Sequence, residues 1–121
     1  MPFRKAMFPG SFDPIHLGHI NIAERAAHIF DELIVCVYAT PQKNLLFSTK
    51  ERVEMARRAL QHLDNVRVTE YTGLTVNFAE QRGIHVMVRG LRVFSDFEYE
   101  FRMALTNQEL KPDIETISLI T

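Results

Sequence analysis

Ala6-Met7-Phe8-Pro9-Gly10-Ser11-Phe12-Asp13-Pro14-Ile15-His16-Leu17-Gly18-His19 passes from a short apolar run, through a turn dense in glycine and proline, into the start of a helix. A strand that feeds a helix through such a turn makes a natural anion cradle. The unsatisfied amides and the positive end of the helix dipole favour negative charge, Gly10 and Gly18 let backbone come close, and Ser11 offers a hydroxyl.

Working outward, the hydrophobic period changes again and again. Ala6-Met7-Phe8, Leu33 to Tyr38, Val66-Arg67-Val68, Val86-Met87-Val88 and Ile117 to Ile120 are short apolar or alternating runs suited to strands. Helical patterns separate them. Ile22, Ala23, Ala26, Ile29 and Phe30 form one stripe between Ile20 and Phe30. Ser48-Thr49-Lys50-Glu51 reads as a capping box, followed by a stripe of Val53, Ala56, Leu60 and Leu63. A short helix is expected from Leu74 to Arg82 with Gly83 at its end, and a fourth from Asp96 to Leu110 with Pro112 as its stop. The order β-α-β-α-β-α-β-α-β implies an α/β fold: a Rossmann-like, doubly wound, five-stranded parallel sheet with helices on both faces. In such sheets ligands sit beyond the carboxyl ends of the strands, so the loops after the strands are where chemistry belongs.

A chain of 121 residues with 46% hydrophobic content suits one domain spanning residues 1–121. Its 14 basic and 15 acidic residues are interspersed, which argues against nucleic acid or an anionic membrane as a partner. The single cysteine, Cys36, lies in an apolar run and has no disulfide partner, as expected of a core residue in a reducing compartment. The stretch after Met1-Pro2-Phe3-Arg4-Lys5 is too brief for a signal sequence or a membrane span, and a soluble cytoplasmic protein is the expectation.

Two stretches carry candidate chemistry. His16 and His19 sit three residues apart at the helix start. On residues alone, solvated helix-start histidines, a metal pair and a catalytic pair are comparable readings, although no cysteine or carboxylate cluster nearby completes a tetrahedral metal set. The glycine spacing fits neither a dinucleotide fingerprint nor a P-loop. After the fourth strand, Arg89-Gly90-Leu91-Arg92 puts two guanidinium forks at a strand end, an anion clamp, with Asp96, Glu98 and Glu100 following as balancing charges.

With both histidines and the full Gly10-Ser11-Phe12-Asp13-Pro14 string, the first stretch resembles the H-x-G-H signature of the nucleotidyltransferase superfamily. The string from Arg89 to Glu100 resembles bacterial phosphopantetheine adenylyltransferases, and the similarity runs from Lys5 to the last residue. The resemblance implies in-line transfer of AMP from ATP to 4'-phosphopantetheine without a covalent enzyme intermediate. Such chemistry needs positioning and charge stabilisation more than a protein nucleophile. It implies that His19 and Lys43 are catalytic, with Lys43 also on the acceptor phosphate. Ser11, Thr75 and Arg89 would join Lys43 in binding the acceptor, while Ser11, Phe12, His16, His19, Gly90, Leu91, Arg92 and Glu100 would form the ATP site. Mg²⁺ is expected on the triphosphate, held by substrate oxygens and water rather than by protein ligands. The family's hexamers lead to the expectation of a homo-oligomer. The stripe Phe97, Phe101, Ala104 and Leu105 reads as core or subunit contact.

Family members continue some tens of residues further, through an Ile-Ser-Ser-[Ser/Thr] motif at a helix N-terminus. The resemblance therefore implies a domain lacking the family's C-terminal helical segment, with part of its nucleotide pocket open. The alternatives are a sister enzyme, either a glycerol-phosphate cytidylyltransferase or an NMN adenylyltransferase, and an inactive fragment that binds pantetheine-type ligands.

Overall fold

A computed structural model of the chain describes residues 3–41, 44–92 and 97–121. It holds β1 (Lys5–Gly10), α1 (Leu17–Ile29), β2 (Glu32–Tyr38), α2 (Thr49–Leu60), β3 (Val66–Tyr71), α3 (Thr75–Gln81), β4 (Val86–Leu91), α4 (Phe97–Leu110) and β5 (Glu115–Ile120). The five strands form one sheet in the order β3-β2-β1-β4-β5, and every pairing is parallel. The chain starts in the middle, winds outward to β3, then crosses to the other side of β1 and winds outward to β5. Strand order thus reverses between β1 and β4, where diverging connections leave a crevice at the strand ends.

Burial on both faces explains the unbroken apolar run of β2. Ala6, Phe8, Leu33, Val35 and Val37 pack with Ile22, Ala23 and Ala26 of α1 and with Val53 and Leu60 of α2. The alternate residues Met7, Ile34, Cys36 and Met87 point to the opposite face, against Val76, Ala79, Ile84 and Ile114.

Two expected stripes are corrected. α1 starts at Leu17 with His16 as its cap, in keeping with the reading of His16 and His19 as helix-start residues. Its buried residues are Ile22, Ala23, Ala26 and Ala27, while Ile29 is 53% exposed, having rotated past the edge of the packed face. α4 buries no residue at all, and Phe97, Phe101 and Leu105 face outward, so that stripe is not core. Asp96, the expected start of this helix, lies outside the described residues. The reason for the bare helix is geometric: Tyr99, Glu100, Met103, Ala104 and Asn107 on its other side line a cavity where helix-on-sheet packing would otherwise be.

The corrected stripe is testable. Ile22→Ala should lower unfolding free energy by roughly 2–5 kcal/mol, whereas Ile29→Ala should change it by no more than about 0.5 kcal/mol. Urea titrations of both variants make the comparison, and equal losses would contradict the orientation of α1.

Candidate active site

A cavity of about 840 Å³ opens at the β1/β4 crevice, within the size range of small-molecule sites. The turn after β1 forms one wall. Phe12 adopts a left-handed backbone (φ 49°), which is unfavourable for a bulky side chain, and it is held there by burial of its ring. That ring meets Phe8 edge-on at 5.3 Å and His19 at 4.8 Å. Gly10 makes room for it, since a Cβ there would lie 3.1 Å from the ring. Phe12 is only 2% exposed, so its ring fixes the turn from within while the residue lines the cavity.

The start of α1 is capped by the two histidines in a reciprocal arrangement. The Gly18 amide donates to His16 Nδ1, and the His16 amide donates to His19 Nδ1, each at 3.1 Å. The rings stack with centroids 3.7 Å apart. A nitrogen that accepts a hydrogen bond cannot carry the proton, so each neutral ring holds its proton on Nε2. Burial, then His16, then Arg92, push the pKa of His19 from the ordinary 6.5 down to about 4. That of His16 is also lowered, by burial and by Arg92. Near neutral pH the cavity mouth therefore presents uncharged imidazole N–H donors, suited to charge that develops on an oxyanion.

Across the crevice, Arg89 is clamped by Glu100: Nε to Oε1 at 3.0 Å and Nη2 to Oε2 at 2.8 Å. Its Nη1 donates to the Pro9 carbonyl at 3.4 Å, tying β4 to β1. The Glu100 hydrogen bonds, outweighing burial, raise the Arg89 pKa. The residues expected at the acceptor (Arg89) and at ATP (Glu100) are thus one ion pair, and Arg89 enters the site largely neutralised. Arg92 is exposed on the cavity wall. Gly90 lines the cavity and Leu91 does not. At Gly90 a Cβ would lie 3.2 Å from Ile22, so its smallness serves the packing of α1 on β4. Thr75, at the start of α3, and Ser11 also line the cavity. Lys43 lies outside the described residues, although Asn44 and Leu46 of the same loop reach the cavity. Among the described residues no group of three or more His, Cys, Asp and Glu side chains is arranged to hold a metal ion.

Three residues that hold the site together were not singled out from sequence. Asp13 accepts from the amides of Leu46 and Phe47 at 2.7 and 2.9 Å, fastening the loop after β2 to the first turn. Arg52 of α2 is fully buried. It donates to the carbonyls of Ser11 and Tyr38, both at 2.8 Å, of Phe47 at 3.2 Å and of Ala39 at 3.5 Å, and to Thr49 Oγ1 at 3.0 Å. Tyr71, at the end of β3, is buried with its hydroxyl on Thr75. Arg52 had one signal in the sequence, a charge adjoining Val53 on the inner side of the stripe.

The cytidylyltransferase-like family matches residues 7–120. A phosphopantetheine adenylyltransferase of Desulforudis audaxviator is 53% identical over 116 residues, which cover 96% of this chain and 71% of that protein. One of Heliobacterium modesticaldum is also 53% identical, over 96% of this chain and 69% of its own length. Among solved structures, a lipopolysaccharide core biosynthesis protein from Thermoplasma volcanium superposes with a TM-score of 0.71 at 20% identity. It covers 98% of this chain and 97% of its own, and shows the likeness of fold.

Two outcomes follow from this geometry. Because the folded-state pKa of His19 is below the unfolded value, the unfolded chain takes up the proton first as pH falls. Stability should hold above about pH 6.5 and decline progressively towards about pH 4. His19→Gln should flatten that decline in melting temperatures measured across the range. Separately, Arg52→Met should destabilise the protein by at least about 3 kcal/mol, because it orphans several buried acceptors while keeping an apolar stem. Chemical denaturation measures the loss.

Proposed function

This chain belongs to the phosphopantetheine adenylyltransferase family, and from that membership we propose that it joins the adenylyl group of ATP to 4'-phosphopantetheine, giving dephospho-coenzyme A and pyrophosphate. The observation that carries the reading is the pair of histidine rings, each accepting at Nδ1 and so holding its proton on Nε2, in a cavity that Arg89 and Arg92 also line.

An oxygen of the acceptor phosphate attacks the α-phosphorus of ATP, the bond to the bridging oxygen of the β-phosphate breaks, and pyrophosphate leaves. The attacking phosphate is already anionic, so no protein base is needed. His19 donates from Nε2 to the α-phosphate as charge grows there, with His16 beside it. Its lowered pKa suits this task, since a neutral donor does not trap the triphosphate in the ground state. Ser11 and the turn amides orient phosphate oxygens, and Arg92 meets the leaving pyrophosphate. Arg89, held by Glu100, steadies the acceptor with Thr75, and Lys43 reaches the acceptor phosphate from the loop after β2. Gly90, Leu91 and Glu100 belong to the nucleotide side.

In this proposal Mg²⁺ arrives with ATP as part of the substrate and is held by phosphate oxygens and water. The outward-facing Phe97, Phe101 and Leu105 of α4 support self-association, hexameric as in the family. Among the described residues no helix is long and apolar enough to cross a membrane. A cytoplasmic setting is part of the same proposal, supported by the buried Cys36, whose thiol is pushed up to about 12 chiefly by burial.

Purified protein given ATP, Mg²⁺ and 4'-phosphopantetheine should release pyrophosphate only when the acceptor is present. His19→Ala should lower kcat by about 100-fold or more, while Arg89→Ala should chiefly raise the acceptor KM. Preference for CTP over ATP, or binding of the acceptor without turnover, would overturn the reading.

A further inference from the structure

The cavity has two sides, because strand residues alternate between the faces of the sheet. Met87 of β4 clusters with Val76 and Ala79 of α3, and Arg89 continues that face two residues on. Gly90 belongs to the α1 face, where a Cβ would meet Ile22 at 3.2 Å. Val88, Ile117 and Leu119 pack with Ile22 on the same face. Thr121 stands two residues beyond Leu119 and so continues it. The Thr121 amide donates to the Leu91 carbonyl at 2.8 Å, which extends the β4–β5 ladder, and Thr121 lines the cavity together with Gly18, Ile22 and Gly90.

This α1-side wall ends on the least supported strand of the sheet. β5 is an edge strand, bonded to β4 alone, and strand ends at an edge open locally at low free-energy cost. Arg25, exposed on α1, reaches that end. Its Nη1 donates to the Ile120 carbonyl at 2.6 Å and to Asn21 Oδ1, one turn back on the helix, at 3.2 Å. A short bond from a guanidinium is stronger than one between neutral groups, and Asn21 keeps the guanidinium aimed. α1 also carries His19 in its first turn, so one helix both presents the imidazole and holds the end of β5.

We propose that Arg25 is a positioning residue for the nucleotide: through the Ile120 carbonyl it fixes the end of β5, and with it Thr121, as the wall opposite Gly18 and Ile22. This rests on the proposed transfer from ATP, in which Gly90 and Leu91 belong to the nucleotide side. The acceptor is assigned to Thr75 and Arg89, on the other face of the sheet. Loss of the anchor is therefore felt by one substrate and not by the other.

Calorimetric titration of ATP with Mg²⁺, and separately of 4'-phosphopantetheine, into wild type, Arg25→Met and Arg25→Lys tests this, alongside kcat and both KM values. Arg25→Met keeps the apolar stem and removes the donor. It should weaken ATP binding roughly three- to tenfold, as for loss of one hydrogen bond, and raise the ATP KM in step, while acceptor affinity and kcat at saturation stay as in wild type. Arg25→Lys restores a cationic donor and should recover most of the ATP affinity. Unchanged ATP affinity in Arg25→Met, or parallel losses of ATP affinity, acceptor affinity and kcat, would overturn the anchor; the parallel losses would mark a role in general stability instead. If Arg25→Met does not fold, Asn21→Leu, which removes the group that aims the guanidinium, is read by the same two outcomes. Wild type that binds ATP but releases no pyrophosphate with the acceptor refutes the proposed function and leaves the anchor standing or falling on the ATP affinities; wild type that binds no ATP refutes both.

Discussion

A guanidinium without access to water organises the active end of this protein. Arg52 is fully buried, and among the described residues it pairs with no carboxylate; main-chain carbonyls and one hydroxyl take up its donors. Those carbonyls belong to the turn after β1, the end of β2 and the loop that leads into α2. A buried charge is costly unless fully hydrogen-bonded, so these three segments are held at mutual positions that satisfy it. Asp13 repeats the connection from the other side, accepting amides where Arg52 takes carbonyls. The strained Phe12 backbone persists because the turn is fixed at both flanks and its ring is locked beneath His19.

From that anchored turn the site extends across the β1/β4 reversal. The β1 side supplies donors that are neutral by burial, and the β4 side supplies an arginine neutralised by Glu100 and another left at the surface of the cavity. The site is therefore less positively charged than its residue types suggest.

Much of this architecture could be read from the residues. The alternation of periods gave the element order and the parallel sheet, because strands buried on both faces leave continuous apolar runs and their crossover helices leave stripes. Ser48 to Glu51 announced the capping box of α2, and it forms as expected. His16 and His19 could be placed at the start of α1, but their reciprocal cap was hidden because histidine is an unusual capping residue. Ile29 misled because a stripe does not say how far the packed face extends. For α4 the residues left core and subunit contact both open: its apolar side chains face outward, and whether a stripe meets a sheet or stands off from it across a cavity is a tertiary matter. The pairing of Arg89 with Glu100 and the several partners of Arg52 are likewise long-range, and no local spacing encodes them.

The reciprocal cap on α1 also sets how far each histidine position could drift in sequence. Position 16 needs an atom that accepts from a backbone amide, a demand that Ser, Thr, Asn or Asp meets equally well. Position 19 must accept from the main chain on one edge while offering a donor from the other, across a rigid plane of fixed width. An imidazole does both across one ring without carrying charge. The two histidines look equivalent in the sequence, yet the demands on the first are looser than those on the second.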